Sequence, residues 1–512
     1  MKASDRIIVN TLAQYIRTIL NLLLSLYSTR LVLQILGVED YGIYSLVAGV
    51  VSMLSFLTNS LIGSTQRFLS IYQGRGEIEK LKGVFSNSLL LHIVLGLFIT
   101  LILESLTLYL FDGFLNIPEG RIAEAKDIYQ LVVLMVYMSF LAAPYRALLV
   151  SHENIVYTSA IEVLDGVLKV VLVLFLPHIT HDKLMGYGWI MFSIQLFNLL
   201  AYALYSHCKY AECIFPQLRL FCISYMRELF SYTGWMVYSS ASIALRTQGL
   251  AIVLNRVMSA TINAAYGIGS QISGMVSVIS SSFANAVAPQ LMAAEGSGNR
   301  DHMWFLAQIE SKLSFLLLAM VGIPSMFELN TLLHLWLGDV PQFVNLFACM
   351  FMSMQIVDML SSGLGLANRA MGNIGVYTMV TCTPKLLILP AAWLLLHHGF
   401  HLWIVAVIMV AIEALCMYLR IFLLRKVEGF NQGKYINQVI LKSLPPVVVS
   451  VIAGYLITTF THFTFRFFMT YLVCILLFVI FAYTFSFTTT EKLKIKSIVS
   501  NIRKKVKSRV GG

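Results

Sequence analysis

The sequence predicts an all-α integral membrane protein with about 14 transmembrane helices. The chain has 512 residues, of which 58% are hydrophobic and only 12% are charged, and its mean hydropathy is +0.79. Soluble domains carry about 25% charged residues, so this chain has too few charges to cover the surface of a cytosolic enzyme or a nucleic-acid-binding protein. Its apolar residues also fall into runs of about 20, the length of a helix that crosses the bilayer core.

Fourteen such runs follow one another along the chain. Runs of this length satisfy their backbone hydrogen bonds internally as helices, whereas the strands of a membrane barrel have about 10 residues and alternate in polarity. Numbered as spans 1 to 14, the runs are 11–35, 42–66, 86–110, 128–150, 156–177, 184–205, 230–254, 264–288, 306–327, 343–366, 376–396, 402–424, 439–460 and 466–487.

Lysine and arginine are distributed unequally between the two faces that these spans define. Of the 36 lysines and arginines, 25 fall on the face that carries the N-terminus, five fall on the opposite face, and the rest lie inside spans. Because cations are retained on the cytoplasmic side of a membrane, both termini are predicted to be cytoplasmic. The basic tail is expected to lie on anionic lipid headgroups.

A weak internal repeat relates the two halves of the chain. A shift of 222 residues places Tyr44 on Tyr266, Met53 on Met275 and Ser60 on Ser282. Many transporters are built from pseudo-symmetric repeats with the substrate site at the interface. The predicted organisation is an N-terminal lobe of spans 1–6 (1–210), a C-terminal lobe of spans 7–12 (211–426), two appended spans (427–487) and a basic tail (488–512).

Polar residues form stripes on the four spans that this repeat relates. They recur every three or four residues, which places them on one face of a helix. Polar groups are costly in lipid, so each stripe is expected to face protein or water. Close helix packing explains the small residues of span 8 as well as a cavity does, whereas the Asn, Gln and Arg residues of span 1 favour a water-filled cavity. The stripes are Asn10, Gln14, Arg17, Asn21, Ser25 and Ser28 in span 1; Ser45, Ser52, Ser55, Asn59, Gly63 and Gln66 in span 2; Ser239, Ser242 and Arg246 in span 7; and Asn263, Gly267, Ser270, Gly274, Ser277, Ser281 and Asn285 in span 8.

Six cations lie within the spans. Each costs about 2.5–3.5 kcal/mol at the membrane centre, so each is expected to be paired or functional. Lys385 lies at the same depth as Glu413, which suggests an ion pair, and Lys312 lies near the cytoplasmic edge, to which it can snorkel. The six are Arg17, Arg30, Lys169, Arg246, Lys312 and Lys385.

Arg17 and Arg246 are the candidates for binding an anion. Neither has an acidic residue at helical spacing on its own helix, and both lie on polar stripes; structural bonding between helices is the alternative. Arg30 lies about 220° around span 1 from Arg17, at 100° per residue, so the two do not share a face. Asp358 stands alone on span 10, as a site for a coupling ion or proton or as the partner of one of the cations.

Motifs for other activities are missing from the sequence. There is no GxxxxGK[ST] phosphate-binding loop, no HExxH metal motif and no Ser/His/Asp arrangement. The seven cysteines include no CxxC pair. We therefore expect no cofactor, no metal site and no enzymatic activity.

Six short strings stand out along the chain: LGVEDYGIY at 36–44, TQRF at 65–68, NAAYGI at 263–268, PQ at 289–290, LWLG at 335–338 and AMGN at 370–373. They resemble strings of the multidrug/oligosaccharidyl-lipid/polysaccharide (MOP) transporter superfamily, and in particular of its Wzx-like oligosaccharide flippases. The resemblance covers roughly residues 1–425, and its motifs are structural rather than catalytic.

The resemblance implies a cargo, namely an oligosaccharide on a polyprenyl diphosphate. Such a flippase moves its cargo from the cytoplasmic to the outer leaflet of the bacterial inner membrane for O-antigen, capsule or exopolysaccharide assembly. The resemblance also implies membrane lipids, a glycan polymerase and a chain-length regulator as partners, and it implies no binding of nucleic acid. A multidrug cation antiporter of the same fold, a lipid II flippase, and an enzyme acting on lipid-linked sugars are the alternatives.

A cationic lumen of the kind described for these flippases is matched here by Arg17 and Arg246. With the polar stripes, this gives a set of predicted substrate-binding residues and one coupling-ion candidate, Asp358. The substrate-binding set is Arg17, Arg246, Asn21, Gln14, Asn59, Ser281, Asn285, Arg30 and Arg67.

Overall fold

Helices make up nearly all of the chain that the computed structural model describes. The described residues are 3–52, 55–111, 119–178, 182–337, 340–461, 465–488 and 491–492. Within them, short 3₁₀ and π-helical turns join the α-helices, and there is no β-strand. The all-α fold predicted from the sequence is therefore confirmed. The helices are α1 (Ala3–Ser52), α2 (Ser55–Arg75), α3 (Ile78–Tyr109), α4 (Ile122–Ser151), α5 (Ile155–Phe175), α6 (Lys183–Lys209), α7 (Ile223–Val257), α8 (Ala260–Gly296), α9 (Arg300–Phe327), α10 (Leu329–Leu337), α11 (Val344–Met359), α12 (Ser362–Met371), α13 (Gly375–Leu386), α14 (Ile388–His397), α15 (Leu402–Leu424), α16 (Gln432–Tyr435), α17 (Leu444–Phe460) and α18 (Arg466–Phe481).

Many of these helices have the length and composition of membrane spans. Among the described residues, ten are long and apolar enough to cross a bilayer, and α11 with α12, which meet at a 50° bend, form an eleventh if they are one span. Helix α15 coincides with predicted span 12, and α9 contains predicted span 9. Helix α5 is outside this set and carries Glu162, Asp165 and Lys169. The chain is thus a multi-pass membrane protein, and the number 14 stays a prediction.

Helix α1 contains a break that separates the first two predicted spans. At Gly37 the backbone turns to φ 82° and ψ 173°, outside the helical region. A positive φ of this size strains any residue with a Cβ, so glycine suits this position. The residues before Gly37 correspond to span 1, and those after it begin span 2.

The described residues form two compact units, whose bounds do not follow the order of the chain. The lobes predicted at 1–210 and 211–426 remain a prediction. Most of the predicted basic tail, 488–512, lies outside the described residues. Unit 1 contains 1–243, 285–303 and 367–379, and unit 2 contains 244–284, 304–366 and 380–512.

Helix α4 is central to unit 1. It packs against α1, α2, α3, α5 and α6, and the small side chains of Ala142, Ala143 and Ala147 are buried along it. Small residues allow membrane helices to approach closely. In unit 2, α11 packs against α15, and Tyr266 and Met409 belong to the same buried cluster.

Two glycines bring the ends of α2 and α8 into backbone contact within unit 1. A Cβ added at Gly74 would lie 2.2 Å from the carbonyl oxygen of Ala293, and one added at Gly296 would lie 2.2 Å from that of Ile71. The contact is therefore reciprocal, and it leaves no space for a side chain on either helix.

Replacing either glycine by alanine is expected to lower stability. The added methyl group must push two backbones apart, and overpacking of this kind costs about 1–3 kcal/mol. The matched control is Gly267→Ala in α8, where no atom lies within 4 Å of an added Cβ; helix propensity should make that change neutral or stabilising. Thermal unfolding of the detergent-solubilised chain measures all three, and equal midpoints would contradict the packing argument.

Candidate functional site

Unit 1 contains a polar cavity of about 410 Å³, which we call the N-terminal cavity. Helices α1, α2, α4, α5 and α6 all contribute to it. Its size falls within the range of small-molecule sites in proteins. Its lining residues are Asn21, Thr58, Ile62, Ser139, Ala142, Ala143, Arg146, Glu162, Asp165, Gln195, Asn198 and Tyr202.

A carboxylate in this cavity bridges two guanidinium groups. Oε2 of Glu162 lies 2.7 Å from Nη1 of Arg17, and its Oε1 accepts a hydrogen bond from Nη2 of Arg146. All three side chains are partly exposed. The arrangement therefore holds two forked cationic donors on one small acceptor group within an open cavity.

Close packing of α5 on α1 places Glu162 against Arg17. A Cβ at Gly166 would lie 2.9 Å from Cδ1 and 3.4 Å from Cβ of Leu24, so glycine favours this close approach. Glu162 lies four residues before Gly166, on the same face of α5. The close approach of the two helices brings Glu162 within reach of Arg17.

A second acid lies one turn further along α5. Asp165 accepts a hydrogen bond from Nδ2 of Asn198 and lies one turn from Lys169, with which it interacts electrostatically. The two acids therefore meet three cations, of which Arg146 lines the cavity while Arg17 and Lys169 lie outside its lining. The Oδ1 atoms of Asn21 and Asn198 accept no hydrogen bond from the residues that the structure describes.

The predicted substrate-binding residues are distributed over several environments. Asn21 lines the N-terminal cavity, Arg17 joins it through Glu162, and Gln14 is buried on the same helix. Four further members of the predicted set do not join them and are exposed: Arg30 on α1, Asn59 on α2, and Ser281 and Asn285 on α8.

Arg67 is buried in a different part of unit 1. Its guanidinium carbon lies 4.7 Å from the ring centroid of Phe68 and 4.8 Å from that of Tyr232. Its Nε donates a hydrogen bond of 3.2 Å to the carbonyl of Ala370. These contacts give Arg67 a structural position, distinct from the N-terminal cavity.

Arg146 is a residue of this cavity that the sequence patterns do not single out. It falls near the end of predicted span 4, on the predicted cytoplasmic face. Helical spacing in the sequence reveals only partners on the same helix, whereas the partner of Arg146, Glu162, lies on another helix, α5. The available signal is that Asp165 alone can neutralise Lys169, which leaves Glu162 free to pair with a cation on another helix.

Unit 2 contains a largely buried group of five charged residues, which we call the charge cluster. Glu413 is 2% exposed and receives Nζ of Lys385 at 2.6 Å and Nη1 of Arg246 at 2.9 Å. Nη1 of Arg420 lies 2.7 Å from Oδ1 of Asp358. Three cations thus share two acids, and the ion pair of Lys385 with Glu413 expected from their matching depths is present.

The sequence leaves two roles open for Asp358, a coupling-ion site or the partner of a cation. Arg420, predicted on the cytoplasmic face, binds Asp358, and Nζ of Lys385 lies 4.0 Å away, so Asp358 does have cationic partners. The expectation that Lys312 snorkels needs correction, because Lys312 is buried and bonds to the carbonyl of Ser486 and to Glu491. In both cases the partner lies far along the chain, beyond the reach of helical spacing.

Comparison with known proteins gives a family match over more than half of the chain. A family model described as "Polysaccharide biosynthesis protein" matches residues 4–294. The chain is 23% identical over 336 residues to a Bacillus subtilis protein described as "Uncharacterized membrane protein EpsK". That match covers 64% of this chain and 65% of the relative, so it spans slightly less than two thirds of the relative's length.

Two solved structures with a similar fold are those of transporters. A MOP superfamily transporter from Pyrococcus furiosus has a TM-score of 0.71 at 14% identity and covers 85% of this chain and 97% of its own. A point mutant of the Vibrio cholerae MATE transporter VcmN has a TM-score of 0.70 at 15% identity and covers 83% of this chain and 98% of its own. The chain therefore has the fold of these transporters, and the family match together with this fold confirms the resemblance to the MOP superfamily.

Proposed function

We propose, because this chain belongs to the polysaccharide biosynthesis protein family, that it is a flippase for an oligosaccharide linked to a polyprenyl diphosphate. The cargo is carried from the cytoplasmic to the outer leaflet of a bacterial inner membrane. The family and the fold are those of transporters rather than enzymes. The polyprenyl chain stays in the bilayer while the diphosphate and the glycan cross it.

The observation that carries this proposal is the bridge of Glu162 between Arg17 and Arg146. A diphosphate presents several oxygens to the two guanidinium forks, and charge-assisted, bidentate contacts of this kind are strong and specific. Glu162 keeps both arginines paired when no anion is bound. An arriving diphosphate takes over these donors, so the site is preorganised without leaving two cations uncompensated.

The pairing of the acids around the N-terminal cavity argues against a multidrug cation antiporter. A cationic drug entering this cavity finds Glu162 already bound by two arginines and Asp165 bonded to Asn198. The Pyrococcus furiosus transporter is described as having a binding pocket of reverse polarity, which suggests a different function for that protein. By the same reasoning, transporters of one fold differ in cargo according to the charges around the binding pocket. Here the two arginines beside the cavity favour an anionic cargo.

An inside-negative membrane potential assists this direction of transport. Moving one negative charge outward gains about 2.3 kcal/mol per 100 mV, and the diphosphate carries more than one. Rocking of one six-helix half against the other provides alternating access. Asp358 is held by Arg420 and Lys385, so we assign it to the charge cluster and attribute the drive to the potential.

The test is the leaflet location of the diphosphate-linked glycan in cells with and without this protein. A membrane-impermeant lectin or periodate reagent, applied to right-side-out spheroplasts, reports the fraction in the outer leaflet. Loss of the protein is expected to trap the glycan in the cytoplasmic leaflet. Normal sidedness together with altered sensitivity to cationic drugs would contradict the proposal and support the antiporter.

A further inference from the structure

Unit 1 contains a second cavity, of about 400 Å³, which we call the α7 pocket. One wall is the N-terminal part of α7, and the other is the turn between α12 and α13. It shares no residue with the lining of the N-terminal cavity. Its lining residues are Ser224, Arg227, Glu228, Ser231, Tyr232, Trp235, Gly372, Asn373, Ile374 and Gly375.

The turn wall of this pocket is held in place by contacts with Arg67 and with Tyr232. Gly372 has φ +93°, and a Cβ there would lie 1.9 Å from Nη2 of Arg67, which fills the space beneath it. The hydroxyl of Tyr232 donates a hydrogen bond of 3.2 Å to the carbonyl of Arg369. The turn is therefore fixed before any ligand arrives, which lowers the entropy cost of binding.

The aromatic wall is fixed in the same way. The indole of Trp235 lies against the backbone of Gly375, where an added Cβ would be 3.0 Å from Cε2. Trp235 and Tyr232 lie three residues apart on one face of α7. Trp235 is only partly buried, so the pocket offers aromatic surface to a ligand.

The polar residues of the α7 pocket carry both signs of charge and both kinds of hydrogen-bonding group. Arg227 offers donors, Glu228 offers acceptors and Asn373 offers both, and all three are exposed. With one cation and one acid, the lining of this pocket has no net charge to attract either a diphosphate or a cation. A ligand rich in hydroxyl groups suits this pocket, because each hydroxyl group can accept a hydrogen bond from Arg227 or donate one to Glu228.

Sugars combine such hydroxyl groups with apolar C–H faces that suit an aromatic ring. We propose that the α7 pocket binds sugar residues of the cargo, as a subsite separate from the diphosphate site. This inference rests on the proposed function, since it takes a lipid-linked glycan as the cargo. Arg227 belongs to the predicted cytoplasmic face, so the pocket meets the glycan before it crosses and can select its sugar composition.

The experiment uses the full chain in lipid nanodiscs and two lipid-free probes. The first is the oligosaccharide repeat released from the host's surface polysaccharide, and the second is inorganic pyrophosphate. Saturation-transfer NMR and calorimetry measure their binding. Trp235→Ala and Asn373→Ala are expected to weaken oligosaccharide binding at least about tenfold, and Trp235→Phe should retain most of it. The matched control is Trp403→Ala, an exposed tryptophan of α15, which should have no effect.

The two probes separate this inference from the proposed function. Pyrophosphate binding should be unchanged in Trp235→Ala and weakened in Arg146→Ala. Oligosaccharide binding should be weakened in Trp235→Ala and unchanged in Arg146→Ala. Because Asn373 lies on an exposed turn, its variant stays informative if Trp235→Ala fails to fold. Unaltered oligosaccharide binding by Asn373→Ala and Trp235→Ala, or no such binding by the wild type, would overturn the sugar subsite. A wild type that binds the oligosaccharide but not pyrophosphate would count against the diphosphate site alone.

Discussion

Glu413→Gln is expected to be among the most destabilising single substitutions in this protein. The carboxylate is 2% exposed and neutralises both Lys385 and Arg246. Its loss leaves the charge cluster with three cations and one acid. Removing one partner of a buried ion pair costs about 3–5 kcal/mol, because the remaining charge has no compensation.

A second substitution separates this charge effect from a loss of packing. Lys385→Met in the Glu413→Gln background returns the charge cluster to its original balance of one excess cation. The double variant should therefore recover much of the lost stability, as replacement of whole buried pairs often does. The control is Glu79→Gln, whose side chain is 81% exposed in its pair with Lys82 and should change stability little.

Thermal unfolding followed by size-exclusion chromatography measures this series, with the abundance of membrane-inserted protein as a second readout. The expected order of midpoints is wild type and Glu79→Gln together, then the double variant, then Glu413→Gln. A Glu413→Gln protein as stable as the wild type would show that Lys385 and Arg246 do not depend on this carboxylate.

Arg17→Ala and Arg146→Ala are expected to reduce glycan export strongly. Each removes one guanidinium fork from the proposed diphosphate site. A charge-assisted hydrogen bond contributes about 1.5–3 kcal/mol, which corresponds to a drop of about 10- to 150-fold in affinity. Lysine at either position should restore only part of the function, since an ammonium group lacks the fork.

Two controls show whether the effect lies in binding or in folding. Arg30→Ala removes an exposed arginine from the same helix as Arg17 and should leave export normal. Arg17→Ala combined with Glu162→Gln removes the acid that the first change leaves partly unpaired. That double variant should regain abundance without regaining export, and full export by Arg17→Ala and Arg146→Ala proteins at normal abundance would contradict the diphosphate site.

The helices could be predicted from the sequence because each membrane span is a continuous run of apolar residues. Span 12 coincides with α15, Leu402–Leu424. Bends were not predicted: span 10 is divided into α11 and α12, and span 11 is divided after Leu386. A running average of hydropathy is equally high on both sides of a bend, so it contains no sign of one.

The candidate site could be predicted only in part, because its contacts join distant parts of the chain. Periodicity identified the polar stripe of α1 and with it Arg17 and Asn21. It could not reveal that Glu162 lies between Arg17 and Arg146, since that depends on how α1, α4 and α5 pack. Matching depth did predict the pair of Lys385 and Glu413, because those two residues lie on adjacent spans joined by a short loop.

The contact between Arg67 and Gly372 has a consequence for related sequences. A Cβ at position 372 would lie 1.9 Å from Nη2 of the arginine at position 67, so a side chain there would displace the guanidinium from its contacts with Phe68 and Tyr232. A homologue that replaces the glycine is expected to carry a shorter side chain in place of the arginine. The pair is therefore expected to covary during evolution, as residues in direct contact do.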